Sequence, residues 1–353
     1  MKPTVVVTGA TGSTGLQVVR QLLARDWPVR ALVRQVDGRA ERLHSLGAQV
    51  VVADLFDPSQ VVTAVRGAQR AYFCPPTHPH MLDSAGVFAV AVQEAKLDTV
   101  VVLSQWLASA AHPSILTRHH YLADQLFAAV PGIAHVTVNP GFFAHNYLQT
   151  IAFAAQLGVL PNPMGDSRNA PPSNADIAAV AVGALTDPAR HDGRTYRPTG
   201  PDLLDAAEMA TILGAVLSRT VRAVPMPEFL FAKAMRNFGF DAFMTAQTRT
   251  YIAEHRRGTF AYGGPTDDVH QVTGSPPETF EATARSYAQL PGAQRNAAQF
   301  ARVLATLART GMTPGGNPRR LERQQGSPSP AATGLAIDDP RWLATHTAAI
   351  RAT

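Results

Sequence analysis

One cysteine, Cys74, stands in 353 residues, which excludes an internal disulfide and any metal site built from cysteines. No apolar run approaches the roughly 20 residues needed to cross a bilayer. The N-terminus lacks the charged-then-apolar layout of a signal peptide, because its valines run straight into a glycine turn. A cytoplasmic protein with no membrane partner is therefore expected. Long basic runs are missing too. The net charge is +5, its Arg excess is spread along the chain, and only the short, mixed "NPRRLERQQ" stands out near the C-terminus. Nucleic acid is not an expected partner. Metal ligation has little support and no metal site is assigned: His78 and His80 in "PPTHPH" have no acidic neighbour nearer than Asp83.

What is present is apolar and ordered. Apolar residues make up 46% of the chain, enough for a sizeable core. Six short β-branched runs appear in the first 140 residues: "TVVVTG", "PVRALVR", "AQVVVAD", "RAYFCPP", "DTVVVLSQ" and "IAHVTVNP". Between them lie stretches of helical spacing such as "GLQVVRQLLAR". Nearly all-apolar strands belong in a sheet buried on both faces, and strand–helix alternation implies parallel strands with right-handed crossovers. The expected fold is α/β: a doubly wound Rossmann-type parallel sheet with a smaller mixed α/β C-terminal substrate domain. After Pro140 the rhythm weakens into the Pro/Asn-rich loop "LPNPMGDSRNAPPSN", ending at Asn174 as the N-cap of "ADIAAVAVGALTD". A strand-like "RTYRPTG" and further helices run to about Ala288. The expected divisions are 1–150 for a dinucleotide-binding domain, 151–288 for a substrate domain that exchanges elements with it, and 289–353 for a C-terminal extension.

The stretch "TGATGSTG" carries the first chemistry. Gly9, Gly12 and Gly15 follow a strand and open a helix. The first allows the tight turn, the second lets backbone approach a pyrophosphate, and the third lets helix and strand pack closely. The helix N-terminus offers N–H groups and partial positive charge, and Thr11, Ser13 and Thr14 belong to the same loop. About 20 residues on, where an NAD-binding domain places a carboxylate for the ribose 2′-hydroxyl, this chain has Arg34. A guanidinium suits a 2′-phosphate, with Arg39 and Arg42 close behind, so NADP(H) is the expected cofactor. Asp54 and Leu55, ending the third strand, are placed at the adenine edge. Pro75 and Pro76, in the tail of the fourth, pass beneath the nicotinamide ribose.

With "ALVR", "ADLFDP", "NPGFFAHNYL" and the late "RGTFAYGGPTDDVHQVTGSPPETFEATARSYA", the chain resembles the NmrA-like branch of the atypical short-chain dehydrogenase/reductases over roughly residues 3 to 288. The resemblance implies NADP(H) binding. It spans reductases of quinones and other small molecules, and also redox sensors that bind the cofactor without turning it over. Typical superfamily members use Ser, Tyr and Lys, the last two spaced Y-x-x-x-K. Here Tyr121 is followed by Gln125, which carries no charge to depress a phenol pKa. Quinone-reductase-like relatives instead carry His four residues before an acid, which His120 and Asp124 match; His119 is the neighbouring decoy. His120, Ser104 and Tyr121 are the candidate catalytic residues, with Ser104 and His120 also touching the cofactor, as would Pro140. Ser104 matches the superfamily serine at the end of strand five. Phe142, Phe143 and Asn146 in "NPGFFAHNY" are the candidate substrate wall, and aromatic walls suit a flat, apolar acceptor. The plainer readings are a strand-ending Ser104 hydroxyl and phenylalanines that form interdomain core.

The reading favoured at this point is an NADPH-dependent reductase of a small acceptor such as a quinone or an activated double bond. Alternatives are an idle NADP(H) sensor or a structural dinucleotide-fold subunit. The tail should be ordered as well. "AQRNAAQFARVLATLART" places Ala297, Phe300, Val303, Leu304 and Leu307 on one stripe, and "DPRWLATHTAAI" adds Trp342, Leu343 and Ile350. This tail is expected to fold back over the substrate domain or to reach a second subunit in a homodimer.

Overall fold

The computed structural model describes residues 2–314 and 330–350, without the side chains of 348–350. The Ile350 side chain and the "NPRRLERQQ" stretch thus fall outside what is described. Strands β1 (Val5–Val7), β2 (Val29–Val33), β3 (Gln49–Val52), β4 (Arg70–Phe73), β5 (Thr99–Leu103) and β6 (Ala134–Val138) alternate with helices α1 (Ser13–Leu23), α2 (Gly38–Ser45), α3 (Pro58–Val65), α4 (Met81–Glu94) and α5 (Ile115–Ala128). The seven-stranded sheet runs β3-β2-β1-β4-β5-β6-β8, where β8 is Thr195–Tyr196. Every pairing is parallel, with Val5 opposite both Val29 and Arg70. The reversal of strand order falls between β1 and β4, the crevice in which open α/β sheets bind ligands.

The valine runs explain the two layers. Val5 and Val7 enter one core with Val18, Val19 and Leu22 of α1 and Ile177 and Val180 of α8 (Asn174–Thr186). Val6 points the other way, into a core with Val61, Phe88, Val92 and Phe127. Period-two geometry sends successive valines to opposite faces, so a strand apolar at every position is buried on both. Phe73 stacks on Phe88 at 4.7 Å and meets Phe127 at 5.2 Å. Burying each such ring is worth about 1.5–3 kcal/mol.

A third core lies beyond β6. Helices α6 (Ala144–Leu148), α7 (Ile151–Leu157), α10 (Ala206–Val216) and α14 (Phe280–Ala288) enclose it with the parallel pair β7 (Val159–Asn162) and β9 (Arg222–Pro225). Leu148, Leu160, Met209, Leu213 and Phe280 fill it. Two expectations need correction here. β7 occupies the start of the stretch read as a loop, and the N-cap of α8 is Ser173, whose hydroxyl accepts from the Asp176 N–H, not Asn174.

The tail divides into two helices, α15 (Ala297–Met312) and α16 (Pro340–Ile350). α15 lies on α11 (Glu228–Asn237): Lys233 and Arg236 donate to the carbonyls of Gly311 and Pro314, and Asn237 donates to Thr310 Oγ1. The expected apolar stripe is not buried as a whole. Val303 is covered, while Phe300, Leu304 and Leu307 remain 43–45% exposed and Ala297 is exposed. Trp342, by contrast, is 3% exposed and Leu343 half-buried. No helix among the described residues is long and apolar enough to cross a membrane.

Candidate active site

The glycine turn is built as its spacing requires. Gly9 has φ +60°, and a Cβ there would meet Cys74 Cβ at 3.0 Å. A Cβ on Gly15 would lie 2.3 Å from the Gly9 carbonyl oxygen, so only glycine lets α1 sit this close to the turn. Thr8 pins the floor: its hydroxyl oxygen accepts from the Cys74 N–H at 2.8 Å. Burial pushes the Cys74 thiol up to about 12, so it acts as packing. Helices α2, α3 and α5 are capped by Asp37, Asp57 and Ser114. α1 begins differently, with Gly12 at the N-cap, no side-chain cap and no acid in its first turn. Its first N–H groups therefore face outward as an anion cradle beside Thr11, Ser13 and Thr14.

Arg34 follows β2 directly, is exposed, and has no ion pair among the described residues. Arg39, expected to assist it, is committed elsewhere. Its guanidinium lies 2.6 Å from Asp37, whose carboxyl is held down to about 2 by that contact and by the Ala40 N–H. Arg42 is an exposed residue of α2. Asp54 is exposed and its carboxylate accepts from the Phe56 N–H, while Leu55 packs against the second core. Pro75 is buried and Pro76 half-buried beyond β4. The buried Pro140 accepts through its carbonyl from the Trp106 N–H, which ties the ends of β5 and β6 together.

At the carboxyl end of β5 the arrangement departs from expectation. Ser104, 4% exposed, donates its hydroxyl to Asp124 Oδ2 at 2.6 Å. His120 and Asp124, matched by spacing, are not partners: the Asp124 carboxyl is bonded to the serine at the strand end. Asp124 is enclosed, and burial pushes it up to about 8, so it is mostly protonated at neutral pH. Burial also presses His120 down to about 3. Its imidazole is neutral there, so it offers a hydrogen bond but is not the proton donor near neutral pH that its spacing to Asp124 suggested. Tyr121 is half-buried one position on, and Gln125 is exposed. Burial holds the neighbouring His119 imidazole below its ordinary value, and the Arg118 guanidinium adds to the effect.

Several polar atoms near these strand ends are enclosed without a hydrogen-bond partner: His120 Nδ1, Asp124 Oδ1, both amide atoms of Gln105 and Asn139 Oδ1. Buried polar groups are rarely left this way. Their position suits the amide and sugar groups of a dinucleotide, so the residues present fit the expected cofactor. Gln105 and Asn139 were missed by the sequence reading. Their signal is a polar residue closing an all-apolar strand, in "VVVLSQ" and "VTVNP". Phe142 packs edge-on against Tyr147 at 5.4 Å and meets Phe260 at 5.3 Å. Phe143 packs against the first core, and Asn146, half-buried, bonds back to the Phe143 carbonyl. Phe142 thus faces the region beyond β6, and Phe143 is held in the sheet layer. Among the described residues, no three His, Cys, Asp or Glu side chains gather to hold a metal ion.

The sequence matches the NmrA-like family over residues 1–274. The chain belongs to that family. It is 30% identical over 289 residues to an NAD(P)H azoreductase of Xenophilus azovorans, a match covering 82% of this chain and 99% of that one. An NADPH-dependent quinone oxidoreductase from Escherichia coli, solved with NADPH, shares the fold at TM-score 0.69 and 22% identity, covering 80% of this chain and 99% of that chain. A Citrobacter sp. triphenylmethane reductase, solved with NADP(H), does so at TM-score 0.69 and 19% identity, covering 80% and 99%. In each case the relative is covered almost end to end, while about a fifth of this chain has no counterpart in it.

Proposed function

We propose that the protein reduces a small, flat, mostly apolar acceptor, such as a quinone or an activated double bond, with NADPH as reductant. The chain is an NAD(P)H-dependent oxidoreductase, a statement supported by its family, by the reductases among its relatives and by the glycine cradle. When bound, NADPH supplies the hydride. Gly9, Gly12 and Gly15 would hold its pyrophosphate with Thr11, Ser13 and Thr14, and Arg34 would pair with the 2′-phosphate. Asp54 and Leu55 would border the adenine. Pro75, Pro76, His120 and Pro140 would border the nicotinamide end.

The acceptor needs a proton as well as a hydride. The observation that carries the proposal is the Ser104–Asp124 pair, a 2.6 Å hydrogen bond at a strand end to a carboxyl that stays protonated near pH 7. Ser104, whose hydroxyl rests on Asp124 Oδ2, would pass that hydrogen to an acceptor oxygen or carbon as the protonated carboxyl returns its own proton to the serine oxygen. Burial thus replaces the missing lysine: the proton is kept by desolvating a carboxyl and not by charging a phenol. Phe142 supplies an apolar wall.

The test is turnover of NADPH with a naphthoquinone across pH. The expected profile holds below about pH 8 and falls above it as Asp124 ionises, and Asp124→Asn lowers turnover and removes that fall. A wild-type profile that stays level through this range would remove Asp124 as the proton source.

A further inference from the structure

Helix α15 is amphipathic in the opposite sense to a helix that packs only on its own chain. The face it turns inward is mostly polar. Thr310 is buried there and Gln299, Thr306 and Thr313 are half-buried, with Val303 the one large apolar side chain among them. Its inward contacts are hydrogen bonds. Asn237 donates to the Thr310 hydroxyl at 3.0 Å and to the Thr306 carbonyl at 3.4 Å, and Lys233 donates to the Gly311 carbonyl at 3.2 Å. The face it turns outward is apolar. Phe300, Leu304 and Leu307 are 43–45% exposed, and Ala297, Ala301, Ala308 and Gly311 are exposed around them. This stripe holds no charged side chain. At about 100° per residue, Arg302 and Arg309 fall on the opposite side of the helix.

The spacing within the stripe selects its occupant. Phe300, Leu304, Leu307 and Gly311 step by four, three and four residues, the alternation of a coiled-coil seam. These steps read the same from either end. Against a second copy that runs antiparallel across a two-fold axis, Phe300 therefore falls opposite Gly311 and Leu304 opposite Leu307. The largest side chain of the seam meets the residue that has none, and the leucines fill the centre. Other occupants fit less well. Residues 315–329, which lead from α15 to the C-terminal arm that carries Ala336 and α16, include a single large apolar residue, Leu321. A lipid surface draws cations to the flanks of an apolar face, whereas here the arginines stand on the far side.

We propose that the outward stripe of α15 is the contact of a homodimer, with two copies of the helix packed antiparallel about a two-fold axis level with Ala305 and Thr306. Two such faces, each about 24 Å long, bury on the order of 1,000 Å² in all, the low end for a specific interface, so the dimer forms at micromolar concentrations. With no charge in the seam, added salt does not loosen it. The helix lies past residue 274, where the family match ends, so the contact belongs to this chain's extension and not to the shared domain. It holds whether or not the protein turns over NADPH.

Sedimentation equilibrium of the full chain, from sub-micromolar to high micromolar concentrations, tests the proposal beside Leu304→Arg and Arg302→Glu. The expected result is a monomer–dimer equilibrium in the wild type that persists in high salt. Leu304→Arg, which sets two like charges in an apolar seam, should weaken it roughly a hundredfold or more, and Arg302→Glu on the far side should leave it in place. Leu304 borders solvent in the single chain, so the melting temperature of Leu304→Arg at low concentration should match that of the wild type. If that variant does not fold, the paired substitutions Phe300→Cys and Gly311→Cys decide: together they should join two chains on oxidation, while neither alone does. A wild type that stays monomeric over the whole range overturns the proposal, as does a dimer that Leu304→Arg leaves intact, or chains joined by Phe300→Cys alone. A monomer that sediments with vesicles of phosphatidylcholine and phosphatidylserine would give the stripe to lipid and overturn it as well.

Discussion

Replacing Asp124 by Asn should make the protein more stable, by an amount that depends on pH. In the folded protein the carboxyl is enclosed, its Oδ1 has no partner, and its pKa rises from 3.8 to about 8. In the unfolded chain it ionises at its ordinary value. Between these two values the folded state holds a proton that the unfolded state has released, so rising pH favours unfolding. The stability lost through this one group begins near pH 4, grows by 1.36 kcal/mol per unit, and stops growing above about pH 8. Over the whole interval it amounts to about 6 kcal/mol, and by pH 7 to about 4. Asn keeps an oxygen for the Ser104 hydroxyl and does not titrate. The assay is denaturant unfolding of both proteins at a series of pH values from 5 to 9. The difference in favour of Asn should climb by about 1.4 kcal/mol per unit and level off above pH 8. Parallel curves would show that Asp124 is ionised in the native protein, and the proton store in the proposed mechanism would go with it.

Arg34→Asp should lower NADPH affinity roughly 10- to 100-fold and shift preference toward NADH, since each charge-assisted hydrogen bond is worth about 1.5–3 kcal/mol and Arg39 is already engaged by Asp37. Fluorescence of bound NADPH measures it, and equal affinity would show that Arg34 does not reach the 2′-phosphate. Glu254→Ala should cost about 3–5 kcal/mol in denaturant unfolding, because this fully buried carboxylate joins His112 at 2.7 Å, the Thr259 hydroxyl at 2.6 Å and the arm at Ala336. It should also speed proteolysis of the arm. A loss under about 1 kcal/mol would mean that the triple junction is not a clamp.

The sheet was legible because short β-branched runs bounded by turn residues favour strands: β1 to β6 fall on the six runs, even though the edge strand β3 is exposed at Gln49 and Val52. β7 and β9 were hidden because their proline-containing sequences, "VLPN" and "RAVP", lack such a run. The glycine spacing announced the turn because each missing Cβ answers to a specific neighbour, Cys74 for Gly9 and the Gly9 carbonyl for Gly15. Side-chain direction was less legible. Spacing at i, i+4 brings His120 and Asp124 to one helix face, yet it does not say that a serine from β5 stands nearer. Periodicity likewise put five residues of α15 on a stripe, but whether a stripe is covered depends on what lies opposite, and only Val303 found cover. The contact between Trp342 and Trp106, 236 positions apart, leaves no local trace at all.

The most direct test of the central claim is to mix the protein anaerobically with NADPH and a naphthoquinone and to follow loss of reduced nicotinamide absorbance beside formation of the hydroquinone. The account predicts catalytic oxidation of NADPH, one equivalent per quinone reduced. NADPH that binds tightly yet stays unoxidised with the naphthoquinone and with a panel of quinones, azo compounds and activated alkenes would contradict it, and would leave a protein that senses the cofactor without using it.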